Sequence, residues 1–576
     1  MRSTFSTALA FCSLSFLLGC GGTSPDEGAP AEGATPEPTP EPALEEPVDA
    51  GAAPVDAGTP RPDAGTPRPD AGTPRQDAGT PRPDAGPPTV DAGTITPVTP
   101  PGTNVTPSTG SVAAAVTITE IAAFQGIKVS LAISGVATTS RLAPVVVGRP
   151  LLLRVYVAPT GGSRALRAEL TVTSGGVTYT RADTKSVSAT SSDALFASTF
   201  NFDLAGTEVT ADLRWSVKLY DAAATPATGD RSRSLFPSSG DVALGALTGG
   251  QRLRVVIVPV KYTGDGSGRV PDTSAAALEK YRSLFMKHYP VASVEVTARA
   301  PYTWASTIGS SGTGFSQILQ AGIQLRAQDR PTSDVYYYLA FNPTATDVAF
   351  CSQGCVAGLS GLISNPADFS QRVSVGLGYM GLAEGTALHE VGHAHGRPHS
   401  QGCGADGPDP AYPSSYVVNH AEHGNVATIG LWGWDILSRF LIDPARNFDF
   451  MGYCDPAFVS DFTFGKLFSR IRSVNTAAPR EHNMSHALTR YRFVDVKPDG
   501  TLAWGSSVDL ESEPESGLTS VSFDHTDGSI ETVRGHYYPY GELSGGYLLV
   551  PEPRASVARF RLNEHIGSIE RVLPRL

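Results

Sequence analysis

Residues 389–399 read HEVGHAHGRPH and hold four of the chain's 12 histidines. The segment around them, Leu382 to His395, is rich in alanine, leucine and glutamate and contains no proline, which predicts a helix. On that helix His389 and His393 stand four residues apart on one face, where two imidazoles can hold a single ion. Glu390, next to His389, can reach a water on that ion without binding the ion itself. Gly396 ends the helix, because glycine takes the left-handed conformation that a sharp stop requires. His399 can then fold back as a third ligand. Three neutral nitrogen ligands with one position open describe a catalytic zinc site, whereas structural zinc sites are closed by four protein ligands. His395 is expected to be a bystander: two residues past His393, it points about 200° around the helix.

HExxH alone is a weak signal. Adding a glycine and a third histidine at fixed offsets lowers the chance expectation to roughly a few in 10^5 for this composition. The full pattern, His389 and Glu390, then His393, Gly396 and His399, resembles that of the metzincin zinc peptidases. That family also demands a methionine turn beneath the metal, and the candidate is Met451 in the segment FDFMGYC, residues 448–454. The chain has only five methionines, so one in such a turn is informative. Tyr453, two residues after the methionine, matches a tyrosine of the astacin and serralysin branches. The resemblance implies that it binds the resting zinc or moves to hydrogen-bond the oxyanion. The likeness covers residues 249–478 and leans towards the bacterial secreted peptidases that cleave mucins and glycoproteins.

The elements that must position these residues begin near Gln251. The run LRVVIVPV (253–260) suits a buried strand, and the stretch from Ser274 to His288 switches to helical spacing, with Leu278, Tyr281, Leu284 and Phe285 on one face. A strand from Ser293 to Val296, a second amphipathic helix through Phe315, Ile318, Leu319, Gly322 and Leu325, and strands at 334–341 and 372–379 follow. This alternation predicts an α/β catalytic domain with a mostly parallel twisted sheet plus helices. It closes in a helix that Ser460 can cap, with Phe464, Leu467, Phe468 and Ile471 facing inward. Strand-like runs from 111 to 248 predict an N-terminal, Ig-like β-sandwich, and residues 479–576 a small C-terminal β-domain.

The N-terminus has Arg2 followed by an apolar run from Ala8 to Leu18, too short for a mature membrane span, and reads as a signal peptide over residues 1–19. Leu17-Leu18-Gly19-Cys20 resembles the lipobox of bacterial lipoproteins, which implies a lipid-modified Cys20. No aspartate follows Cys20, so the expected location is the cell envelope, at the outer membrane of a Gram-negative cell and open to surface exposure. Residues 20–110 are rich in proline, alanine, glycine and aspartate, with DAGTPRP repeats. They cannot bury enough apolar surface to offset chain entropy and are expected to form a disordered tether. The net charge of -12 argues against nucleic acid as a partner.

Cys12 leaves with the signal and Cys20 with the lipid, so Cys351, Cys355, Cys403 and Cys454 remain, an even number in an exported chain. Three pairings are possible on paper. Cys403 lies just after His399 and Cys454 just after Met451, so the metzincin likeness favours a bridge between them that clamps the third ligand's loop to the methionine turn. Cys351 and Cys355 then close a small local loop. Two further clusters are weaker: His420, Glu422 and His423 as a second metal site, and Asp406 with Asp409 as a calcium loop.

The resemblance implies a zinc-dependent metalloendopeptidase that hydrolyses extracellular proteins or glycoproteins, with Glu390 as base and Tyr453 supporting the oxyanion. The rivals are a surface adhesin or glycan-binding lipoprotein with an inert zinc fold, and a zinc hydrolase acting on a non-peptide amide. No cysteine stands between Gly21 and Phe350, so latency through a prodomain cysteine is not expected.

Overall fold

The strand Val335–Phe341 shows how the central layer is built. All seven of its residues are buried, as the sequence VYYYLAF demands. Side chains alternate across a strand. Tyr336, Tyr338 and Ala340 therefore join one apolar cluster with Leu278, Ala387 and Val391, while Tyr337, Leu339 and Phe341 join another with Phe315, Ile318 and Leu319. The first cluster belongs to the helices Ala275–His288 and Ala383–Ala394, the second to the helix Phe315–Asp329. The chain is here a computed structural model that describes residues 90–95, 103–223, 226–477, 487–562 and 571–573. The signal segment, Cys20 and most of the repeat stretch lie outside the described residues.

The sheet runs, edge to edge, through Val90–Ile95, Ser293–Ala298, Arg252–Tyr262, Val335–Phe341, Val373–Leu377 and Gly358–Ser360. Its four central strands are parallel, and both edge strands are antiparallel. Gly358–Ser360 is thus the edge strand nearest the motif helix.

The expectation of a mostly parallel α/β fold is corrected by the rest of the chain. Strands take up 39% of the described residues and helices 16%, and several antiparallel sheets stand beside the one large, mostly parallel layer. Two five-stranded antiparallel sheets occupy residues 116–243, and a seven-stranded antiparallel sheet is built from residues after Thr489. Between Val417 and Phe458 the chain forms short two-stranded ribbons where helical spacing is absent. The strands foreseen at 253–260, 293–296, 334–341 and 372–379 are present, as are the helices, and the error lay in weighting them as the dominant architecture.

The sheets are joined by burial. One cluster runs from Ile121 and Leu170 through Phe285 to Phe464 and Phe468. At this seam Arg149 is fully buried, donating from Nε to the Gln125 carbonyl (2.6 Å), from Nη1 to Val291 (2.7 Å) and from Nη2 to Met286 (2.8 Å). Burial without a carboxylate partner pushes its guanidinium down to about 9. The C-terminal sheet packs on the other face, where Tyr491, Phe493, Tyr538 and Tyr547 share a cluster with Phe315 and Leu319. The closing helix is Asp461–Thr476, capped by the Ser460 hydroxyl, which accepts from the Thr463 amide, with Phe464, Leu467, Phe468 and Ile471 buried as foreseen. No helix among the described residues is long and apolar enough to cross a membrane.

Candidate metal centre

The motif helix Ala383–Ala394 stops where glycine was expected to stop it. Gly396 has φ 76°, and its amide donates to the His393 carbonyl (2.7 Å) while the Arg397 amide donates to Gly392 (3.0 Å), the bond pair of a Schellman motif. A Cβ on Gly396 would lie 2.6 Å from the Ile363 carbonyl oxygen, so position 396 has neither the conformation nor the room for another residue. The reversal brings His399 back under the helix.

Each of the three histidines is fixed in the same way. Nδ1 of His389 meets the Phe450 carbonyl at 2.8 Å, Nδ1 of His393 the Arg397 carbonyl at 2.6 Å, and Nδ1 of His399 the Asp406 carbonyl at 2.6 Å. A carbonyl only accepts, so Nδ1 carries the proton and Nε2 is left with a lone pair. The three Nε2 atoms converge, with those of His389 and His393 3.0 Å apart. A single cation set among them would satisfy all three lone pairs at once. A tetrahedral zinc ion with ~2.05 Å bonds holds its ligands ~3.3 Å apart, and the ligand atoms here all lie within 4.8 Å of one another.

A fourth group shares the cluster, and nothing in the motif announced it. Glu542 places Oε1 2.6 Å from His389 Nε2, 3.0 Å from His393 Nε2 and 3.2 Å from His399 Nε2. It sits at the tip of a hairpin in the C-terminal sheet, between Ile530–Pro539 and Gly546–Pro551. The residues His389, His393, His399 and Glu542 can together hold a metal ion. Burial alone would raise Glu542, but the three facing imidazoles hold it far below the usual carboxylate range. Burial alone would lower His389; the Glu542 carboxylate and the Phe450 carbonyl reverse that and raise it. His393, fully enclosed, is pushed down to about 4 by burial.

Glu390 is 2% exposed, and its Oε2 has no hydrogen-bond partner. Its carboxyl lies against the edge strand at Gly358, where a Cβ would fall 2.3 Å from Oε1. Burial and then the neighbouring Glu542 charge raise it well above the usual range. Tyr453 is half-exposed, with its hydroxyl 3.1 Å from His399 Nε2 and donating a short bond to Glu542 Oε2.

Met451 is buried directly under the motif helix: a Cβ on Gly392 would sit 2.5 Å from its Sδ. The turn supplies main chain to the site, since Phe450 holds His389 and the Met451 carbonyl accepts from the Ser400 amide at 3.0 Å. Asp449, fully buried, ties the turn down by accepting from the Met451 amide (3.0 Å), the Ser460 amide (3.1 Å) and the Ser460 hydroxyl. Both disulfides are present: Cys351 with Cys355, and Cys403 with Cys454, which links the His399 loop to the methionine turn at a Cα separation of 5.3 Å.

His395 is indeed turned away from the cluster. It is a core residue, stacked on Tyr336 at 4.1 Å and pushed down to about 3 by burial. The weaker candidates do not assemble. Asp409 is used by the Ala411 amide (3.0 Å) and Arg397 (3.7 Å), and Asp406 contributes its carbonyl to His399. His420 and His423 stack on each other at 5.0 Å beside an exposed Glu422, with no further ligand among the described residues.

No family model matches the chain, and no curated protein matches it. Among solved structures, a calcium binding mutant of Bacteroides uniformis beta-glucuronidase 2 is similar at 10% identity and a TM-score of 0.11, over 42% of this chain and 25% of that one. The Bacteroides uniformis enzyme covalently bound to cyclophellitol-6-carboxylate aziridine is similar at 10% identity and a TM-score of 0.13, over 80% of this chain and 60% of that one. The chain thus spans less than two thirds of either, and scores this low carry no argument about fold or function.

Proposed function

We infer that the protein is a zinc-dependent endopeptidase that cleaves extracellular proteins or glycoproteins. The observation that carries this reading is the convergence of three imidazoles, each with Nδ1 held by a carbonyl and Nε2 aimed inward, beside a buried carboxyl that has an oxygen to spare. His389, His393 and His399 would hold the ion through Nε2. When bound, the ion supplies a Lewis acid that polarises the scissile carbonyl and lowers the pKa of water toward ~7.

The chain's own residues supply the rest. Glu390 takes the proton of the attacking water and returns it to the leaving amine, a task that suits a carboxyl with a raised proton affinity. The edge strand Gly358–Ser360 brings an extended peptide alongside Glu390 through its main-chain groups. Tyr453, at the rim beside His399, donates to the developing oxyanion. The test is Glu390→Gln in a chain whose Glu542 is replaced by alanine: metal content should be unchanged and cleavage of a protein substrate should fall by ~10^2–10^4. Cleavage at the undiminished rate would exclude this role for Glu390.

A further inference from the structure

We propose that the hairpin tip 539–543 is an internal latch, with Glu542 as a fourth ligand that keeps the centre closed until the tip is displaced. The proposal rests on reading His389, His393 and His399 as the ligands of a catalytic ion, and it concerns how that site is regulated.

Three observations carry it. Glu542 fills the position that substrate and water need, touching all three Nε2 atoms with one oxygen and receiving the Tyr453 hydroxyl on the other. A catalytic centre of three histidines works through its open fourth position, and a carboxylate there makes it a closed one. The tip is also bound as a peptide would be bound. Tyr540 bridges antiparallel to Gly361, the Gly541 amide donates to Ser360 (2.9 Å), and the Leu362 amide donates to Pro539 (2.8 Å). These bonds engage Ser360 and the two residues that follow it, so the tip occupies the far end of the edge along which an extended substrate would lie.

The fit itself is the third observation. Gly541 lies so close to the ligand ring that a Cβ there would fall 2.5 Å from Cγ and Cδ2 of His393. On the far side of Glu542, Leu543 packs towards Gly312 and Val356, and with Tyr540 it joins the cluster that unites the C-terminal sheet with the helix Phe315–Asp329. The sheet is seated in this cluster by its own Tyr491, Phe493, Tyr538 and Tyr547, so opening is a cut of the tip between Pro539 and Gly546, or a movement that frees Tyr540 and Leu543, with the sheet staying in place.

The latch makes two opposite demands on one residue: removing Glu542 should weaken metal binding and at the same time admit outside ligands. The full chain is loaded with Co²⁺, whose visible absorption reports ligand exchange, and titrated with acetohydroxamate. A tip that leaves the site open in 1–10% of molecules predicts that Glu542→Ala binds the hydroxamate ~10–100-fold tighter than the parent. Gly541→Val, which cannot seat the tip on His393 yet keeps all four ligand residues, should do the same. Zinc-loaded variants should cleave protein substrate faster by the same factor. Tighter hydroxamate binding with no cleavage by any variant would uphold the latch and sink the peptidase reading. Hydroxamate affinity no higher than the parent's in both folded variants would overturn the latch.

Discussion

Asp449 lies one step behind the candidate metal site, and its removal has a size that follows from its partners. The carboxylate accepts from two buried main-chain amides, those of Met451 and Ser460, and from the Ser460 hydroxyl. Asp449→Ala leaves both amides without an acceptor, at about 1–3 kcal/mol each. The Tyr412 hydroxyl is spared because it also donates to the Thr428 carbonyl at 2.7 Å. Part of the loss is offset, since burial already raises the pKa of Asp449 and disfavours its charge. The net loss should be about 2–4 kcal/mol, and Asp449→Asn, which keeps an oxygen for Met451, should lose about half of that. Because the Phe450 carbonyl orients His389, a loosened turn should also weaken zinc binding by ~10–100-fold. Urea unfolding and competition with a chelator of known affinity measure the two effects. An alanine variant that unfolds within ~0.5 kcal/mol of the parent, or one that is destabilised yet binds zinc unchanged, would refute the claim that Asp449 carries the site through the methionine turn.

Removing the Cys403–Cys454 bridge by double serine substitution releases a loop of 51 residues and should lower stability by about 4 kcal/mol, against about 2 kcal/mol for the Cys351–Cys355 loop of 4; equal shifts in the urea midpoint would contradict this. Asp495, packed against Gln320 where the C-terminal sheet meets its helix, is pushed up to about 6 by burial. Its contribution is full below pH ~4 and is lost as pH rises through about 6, because the unfolded chain ionises first. Relative to the parent, Asp495→Asn should therefore gain up to about 3 kcal/mol between pH 4 and 7, and a stability difference that does not change with pH would show that the group is not buried as a neutral acid.

The legibility of the site divides along a physical line. Ligands that share one helix and its reversal are fixed by local geometry, so His389, His393, Gly396 and His399 could be read from offsets alone. Met451 and the Cys403–Cys454 pair were reachable only through the metzincin likeness, which asks for a methionine turn beneath the ligands and so suggests a bridge beside it. Glu542 was not, because an isolated acid in the stretch PYGELSGGY carries no periodicity, and its place depends on how the C-terminal sheet docks. Asp449 was passed over although it stands two residues before Met451: one aspartate between two phenylalanines does not say that its carboxylate will cap two separate amides. The fold misreading has a similar origin. Long buried runs such as VYYYLAF signal themselves strongly, whereas the short ribbons between Val417 and Phe458 leave little pattern, so the parallel layer was given more weight than its share of the chain.

The three histidines are held by Phe450, Arg397 and Asp406, and in each case the partner is a carbonyl oxygen. Substituting any of those side chains leaves its carbonyl in place, so the tautomer of the site is written in the path of the backbone. Point changes can reach it where they bend that path, at Gly396, at Gly392 above the methionine, at the Cys403–Cys454 bridge, or at Asp449, which ties the turn down. The candidate metal site is therefore insulated from changes in the three side chains whose carbonyls hold it, and a search for tuning positions belongs at the glycines, the cysteines and the aspartate that fix the path of the backbone.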